Sequence, residues 1–190
     1  MSKLRLTATR REGGYTLVEM LLVMSILGLV MGGLTTLFVH ASNAELDMNR
    51  RFQAQQDARV ALDRLRRDLH CASSASSSSA TSVTVNDPCV SGGVLTWCTA
   101  ALNGRTQLFR NIGSSCSTSA PKYADYLLSG RTYFAYQAPS TTTAALLFVC
   151  IPVNPNSRST VDTYALQDRI VFRNSTRTGS ATTISQPPCP

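Results

Sequence analysis

Apolar side chains dominate one long stretch near the start of the chain. Between Tyr15 and Val39 the only acidic or basic side chain is Glu19. An apolar helix of about 20 residues is long enough to cross a hydrocarbon core of about 30 Å. The pattern therefore predicts a transmembrane helix over residues 15–39 with a carboxylate close to its beginning.

A second helical pattern follows over residues 40–70. One predicted helix face carries Met48, Phe52, Gln55, Ala58, Leu62, Leu65 and Leu69, which recur at spacings of three and four. Charged residues lie between them, and Asp47–Arg51 and Asp63–Arg67 have the favourable i, i+4 offset. We expect an amphipathic helix that continues the apolar one and packs one face on a globular head.

The pattern changes again after the helices. Residues 71–82 are mostly serine and other small residues, which predicts a flexible linker. Residues 83–190 form a predicted β-rich head. Runs rich in Val, Thr, Tyr and Phe lie at 82–86, 94–98, 106–110, 131–137, 145–151 and 168–173. The predicted fold class is α+β, with one long N-terminal helix, transmembrane in its lower half and amphipathic in its upper half, packed on a disulfide-containing head.

Charge at the N-terminus sets the expected orientation. The leader, residues 1–14, has four basic residues and one acidic residue, or +3 of the net charge of +7 for the chain. Positive charge before a first span keeps that end in the cytoplasm. The head is therefore expected outside the cytoplasm.

A secretory signal peptide or a plain membrane anchor is the alternative interpretation of this region. The small residues at 41–44 could follow a signal peptide. The apolar core of a signal peptide is usually 7–15 residues, however, and this stretch is longer. Neither alternative gives a reason for Glu19, because a carboxylate in an apolar span is costly and usually functional.

The chain has six cysteines, all after the apolar stretch: Cys71, Cys89, Cys98, Cys116, Cys150 and Cys189. An even number in an oxidising compartment favours disulfides. Their spacing leaves all 15 pairings open. A metal site is not expected, because no two cysteines are separated by two residues and the only histidines are His40 and His70.

We expect neither catalysis nor a cofactor. A Ser-His or Cys-His pair would have to use one of the two isolated histidines. Nucleic acid is also not an expected partner, although Arg64, Arg66 and Arg67 lie close together. No aromatic residues are interleaved with them as a stacking platform, and Asp63 and Asp68 lie among them. A hydrated, salt-bridged helix face is the better interpretation.

The basic leader is followed by Gly14-Tyr15-Thr16-Leu17-Val18-Glu19 and an apolar helix. This arrangement resembles the N-terminal signal of type IV prepilins and type II secretion pseudopilins, with Tyr15 where that family most often has phenylalanine. The resemblance implies that a membrane peptidase cleaves after Gly14 and methylates the new amine of Tyr15. It also implies that Glu19 meets the amine of a neighbouring subunit during assembly.

The residues at 55–69, 107–110, 127–136 and 168–172 also resemble J-type minor pseudopilins and W-type minor pilins. This implies a minor structural subunit of a type IV pilus or a type II secretion pseudopilus, in its tip or priming complex. The alternatives are a major pilin, or an adhesin or DNA-uptake module displayed on the fibre. Implied partners are other pilins through the N-terminal helix, prepilin peptidase, the inner-membrane assembly platform and, before assembly, the membrane.

Overall fold

The computed structural model describes residues 14–155, 164–177, 179 and 189, so positions 1–13 of the predicted leader lie outside the described residues. The described chain is one helix followed by strands. The elements are α1 (Leu17–Cys71), β1 (Ser74–Ser78), β2 (Ser82–Asn86), β3 (Val94–Leu102), β4 (Arg105–Ile112), β5 (Lys122–Leu127), β6 (Phe134–Gln137), β7 (Leu146–Val153) and β8 (Tyr164–Val171). The predicted α+β class is confirmed.

The two predicted helical segments form one continuous helix of 55 residues. It begins after Thr16, whose hydroxyl oxygen accepts a hydrogen bond from the Glu19 backbone N–H at 3.3 Å. The sequence Thr-x-x-Glu is typical of a helix N-terminus, because both side chains can satisfy free backbone donors there. The chain divides into two units, Met1–Leu46 and Asp47–Pro190, with the boundary inside α1.

In the first unit, the described part is the beginning of α1 with its apolar side chains exposed. Leu17 is 78% exposed and Leu29 is 79% exposed. In the second unit, the remainder of α1 lies with an antiparallel sheet. The strand order is β1-β2-β3-β4-β5-β7-β6, and β8 pairs with the other edge of β7.

The core of the second unit lies between α1 and the sheet. The helix contributes Ala54, Ala58, Ala61, Leu62, Leu65 and Leu69, all at most 4% exposed. The sheet contributes mainly Val83, Val85, Leu95, Trp97, Leu108, Leu147 and Ile151. The small alanines let the helix approach the sheet closely, and the leucines nearer its end fill the space between them.

The predicted packing stripe is wrong at its beginning. Met48 and Phe52 are 72% and 59% exposed, so they do not pack on the head. The buried face instead begins at Ala54 and includes Asp68, which we expected on the hydrated face. The spacing of three and four predicted that Met48 and Phe52 share the buried helix face of the leucines, but both side chains are exposed.

The predicted flexible linker at 71–82 is also wrong in part. Residues 74–78 form β1, which pairs antiparallel with β2 from Ser74↔Asn86 to Ser78↔Val83. Serine has little preference for strands, so the pairing with the more strongly β-forming β2 decides the structure here. The ordered sheet therefore begins before the predicted head boundary at residue 83.

Two further strand assignments differ from prediction. β5 lies outside the predicted strand runs. The run predicted at 131–137 is a strand only from Phe134, and the Tyr133 backbone N–H donates instead to Ala80 O at 2.7 Å. The predicted runs at 82–86, 94–98, 106–110 and 145–151 do lie on β2, β3, β4 and β7.

The six cysteines form three disulfides, as their number and placement predict. The pairs are Cys71–Cys89, Cys98–Cys116 and Cys150–Cys189. The first joins the end of α1 to the loop after β2. The second joins β3 to the segment between β4 and β5, and the third fixes Cys189 to β7. Each disulfide therefore ties a segment that lies outside the strands to the helix or to a strand.

Candidate functional site

The predicted processing site lies just before α1. Gly14 and Tyr15 precede the first helical residue, and Tyr15 is 76% exposed. A Cβ atom added to Gly14 would meet no other described atom within 4 Å. Packing within the described chain therefore does not require glycine at this position.

Glu19 lies in the first turn of α1 and is exposed. Its side chain forms no hydrogen bond or ion pair with any described residue. A carboxylate is favourable in the first helical turn because unpaired backbone N–H groups and the helix dipole make that end positive. The N-terminal position also lowers the cost of a charge in an apolar span, since such costs fall towards the end of a span.

Helix α1 is the only one among the described residues that is long and apolar enough to cross a membrane. Its most apolar 18-residue window has a mean hydropathy of 2.2, and none of that window is buried. A core helix of a soluble domain would bury such a window against its own chain. This surface fits membrane anchoring.

The head contains a buried ionic cluster around Asp68 that the sequence analysis did not identify. Asp68 is 6% exposed, and its carboxylate accepts hydrogen bonds from Arg110 Nε at 2.7 Å and Arg110 Nη2 at 3.2 Å. Trp97 Nε1 donates to the same carboxylate at 3.1 Å. The hydrogen bonding of Arg110 to Asp68 is the main reason that the pKa of the Arg110 guanidinium is raised. The cluster joins α1 to β3 and β4.

Among the nearby arginines, Arg66 is paired with carboxylates, as the sequence predicts for this helix face. Arg66 Nε lies 2.6 Å from Asp168 Oδ2, and Arg66 Nη1 lies 3.2 Å from Asp63 Oδ1. The hydrogen bond to Asp168 is the main reason that the pKa of Arg66 is raised. Arg67 is not the ionic partner of Asp63 that we expected, because its Nε donates to the Asp63 backbone carbonyl at 3.3 Å.

A second buried carboxylate, Asp125, lies at an irregularity in β5. Between Ala124 and Leu127 the strand has two residues where β4 has one, and Tyr126 has a φ of 59°. Asp125 accepts hydrogen bonds from Lys122 Nζ at 3.0 Å and Gln107 Nε2 at 3.3 Å. An extra residue in one strand is a β-bulge, which re-aims side chains. The bulge turns Asp125 inward toward these donors, so its role is structural.

One group of possible metal ligands lies among the described residues. Cys71, Asp87 and Cys89 have possible ligand atoms within 4.8 Å of one another, but the two cysteines are joined to each other. A disulfide sulfur is not the thiolate that a metal such as zinc requires. Asn174, in the Asn-Ser-Thr sequence at 174–176, donates a hydrogen bond to the Cys71 carbonyl at 3.0 Å, so it caps the end of α1.

Comparison with known families matches the beginning of the chain. Residues 9–35 match the model of the prokaryotic N-terminal methylation motif. The chain carries a prepilin-type N-terminus. Proteins with this motif are substrates of prepilin peptidase that assemble with other pilin subunits, and the family is structural rather than catalytic. No curated protein and no solved structure matches the chain.

The matched residues include the predicted cleavage site and the first part of α1. Gly14, Tyr15 and Glu19 all lie within 9–35, whereas the head lies outside it. The match therefore supports a type IV pilin-like protein. The resemblance of the head segments to J-type and W-type minor subunits has no counterpart in these comparisons and stays a prediction.

Proposed function

We propose that this protein is a minor pilin or minor pseudopilin of a type IV pilus or a type II secretion pseudopilus. The main support is the methylation motif at 9–35, which includes the first part of an apolar helix whose only charged side chain up to Val39 is Glu19. In this proposal prepilin peptidase cuts between Gly14 and Tyr15 and the amine of Tyr15 is methylated. The protein is then a substrate and a building block, not an enzyme.

Before assembly, residues 15–39 hold the protein in the inner membrane, with the leader in the cytoplasm and the head outside. During assembly, the exposed apolar side chains exchange lipid for the helices of neighbouring subunits. The cationic amine of Tyr15 and the Glu19 carboxylate would each be costly to bury alone and are tolerable as a hydrogen-bonded pair. The pair then fixes the axial position of a subunit more than it adds stability.

We assign the protein to the minor subunits, in a tip or priming complex, for two reasons. The segments at 55–69, 107–110, 127–136 and 168–172 resemble those subunits in sequence. The head is also irregular and rich in cysteine, with three disulfides among the described residues. A major pilin is the alternative, and near-stoichiometric abundance in sheared fibres would favour it.

Glu19→Ala tests the assembly step. We expect the variant to be processed to the same mature N-terminus as the wild type and to be missing from sheared fibres. Glu45→Ala is the matched control, because Glu45 is an exposed glutamate on the same helix. Wild-type incorporation of Glu19→Ala would show that the carboxylate is dispensable, and loss of both variants would point to a general requirement for charge.

A further inference from the structure

A cavity of about 370 Å³ lies beside the last two turns of α1, within the unit Asp47–Pro190. Arg64, Arg67 and Asp68 of the helix form one wall, and Arg110 of β4 lies behind them. The Cys71–Cys89 disulfide and the adjoining loop form the other side. The arginines were expected to form a hydrated, salt-bridged face, but Arg64 and Arg67 also line this cavity.

The Asp68 carboxylate at the base of the cavity already has three strong donors in Arg110 and Trp97. Arg64 Nε lies 3.4 Å from Asp68 Oδ1, which is an ion-pair distance, but it does not form a hydrogen bond there. This Nε atom is buried and has no hydrogen-bond partner among the described residues. A buried donor without a partner is costly, so a further acceptor in the cavity would stabilise it.

Arg67 also has donors to spare. Its Nε donates to a backbone carbonyl, and its two terminal nitrogens make no hydrogen bond within the described chain. Asp87, the second acidic residue of the cavity, is 1% exposed and accepts from the Cys89 backbone N–H at 2.9 Å. Three guanidinium groups against two carboxylates leave the cavity wall with a net charge of +1.

We propose that this cavity binds one oxyanion group, a phosphate or a carboxylate, between Arg64 and Arg67. Residues three apart on a helix are neighbours, so both guanidinium groups can reach one small anion. The planar donor fork of arginine fits the two oxygens of such a group. Arg110 contributes positive potential from behind, since its Nε and Nη2 already donate to Asp68. The size of the cavity suits a single group rather than a long polyanion.

The competing explanation is that these arginines only offset the negative C-terminal end of α1. That role would need charge near the helix end but no bound ligand. The two explanations differ in whether a small oxyanion perturbs Arg64 and Arg67 in a saturable way, and whether chloride does the same at equal ionic strength.

Nuclear magnetic resonance of the arginine Nε–Hε groups separates these explanations in the full mature chain in detergent micelles. Sodium phosphate and sodium acetate are titrated separately, against sodium chloride at matched ionic strength. We expect saturable shifts of the Arg64 and Arg67 signals with phosphate, acetate or both, and none with chloride. Saturation by phosphate alone identifies a phosphate site, and saturation by acetate alone identifies a carboxylate site.

Arg67→Gln should weaken the binding about tenfold, which corresponds to about 1.4 kcal/mol. Arg50→Gln is the matched control, because Arg50 is exposed on the same helix outside the cavity, and it should leave the affinity unchanged. Either variant can be checked for folding by the remaining arginine signals. The proposal is overturned if no shift saturates, if Arg50 responds as strongly as Arg64, or if Arg67→Gln binds as tightly as the wild type.

Discussion

The part of α1 up to Leu46 and the part from Asp47 onward are both helical, but they differ in how far their apolar side chains are buried. In the first part, apolar side chains such as Leu21 and Leu29 are 63% and 79% exposed. In the second part, Leu65 and Leu69 are fully buried against the sheet. The first part carries apolar residues on all sides, while the second carries them mainly on one face. The buried face of the second part is therefore covered within the described chain, whereas the apolar surface of the first part is not.

The ionic cluster at the end of α1 gives the largest expected effect on head stability. Replacing Asp68 with alanine leaves Arg110 with a buried and unpaired charge. We expect the free energy of unfolding of the head to fall by about 3–5 kcal/mol. Unfolding in denaturant can be followed through the fluorescence of Trp97, the only tryptophan in the chain.

Asp63→Ala is the matched control for that variant. Asp63 is also an ion-pair partner on α1, but its side chain is 61% exposed. Exposed pairs contribute at most about 1 kcal/mol, so the midpoint should shift little. Equal effects of the two substitutions would contradict the special role of Asp68 in joining the helix to the sheet.

A pair of leucine substitutions tests the contrast between the two parts of α1 directly. Leu65→Ala should lower the free energy of unfolding of the head by about 2–5 kcal/mol, because it leaves a cavity in a close-packed core. Leu21→Ala should change that free energy by no more than about 0.5 kcal/mol, since Leu21 packs on nothing in the described chain. A comparable loss from Leu21→Ala would show that the first part of the helix also supports the head.

The sequence predicted the features that depend on local pattern. The apolar stretch, its single carboxylate and the strands rich in valine and threonine all follow from residue type and spacing. The helix is continuous because no proline interrupts residues 17–71. The prediction of disulfides likewise needed only the number of cysteines and the side of the membrane on which they were expected.

The remaining features depend on contacts between distant residues. The serine-rich residues 74–78 form a strand that pairs with β2, and the pairing of cysteines follows from the order of strands. Asp68 was placed on the hydrated face because it is charged, yet its position three residues after Leu65 places it near the buried face. The position of Asp68 on the helix was the one signal in the sequence for the ionic cluster. The partners of Asp68, Trp97 and Arg110, could not be identified from the sequence.

Tyr133 gives a smaller effect that appears only at high pH. Burial raises its pKa from 10.0 to about 12, and its hydroxyl donates to the Leu128 carbonyl. Ionisation therefore begins at lower pH in the unfolded state. Its contribution to stability is complete below pH 10 and is lost as the pH rises from 10 towards 12, by up to roughly 2–3 kcal/mol.

Tyr133→Phe should remove that pH dependence, at a cost of about 1 kcal/mol at neutral pH for the lost hydrogen bond. Denaturant midpoints of the variant and the wild type, compared from pH 8 to about pH 11.5, provide the test. Parallel curves over this range would mean that Tyr133 does not account for the alkaline loss of stability.

The mass of the mature N-terminus tests the central claim most directly. We expect intact-protein and peptide mass spectrometry to find a chain that begins with methylated Tyr15. Gly14→Arg should retain the leader, and Gly13→Arg, which places the same side chain one residue earlier, should still be cut after Gly14. A wild-type protein that keeps its first fourteen residues, or is cut near residue 44, would contradict the account.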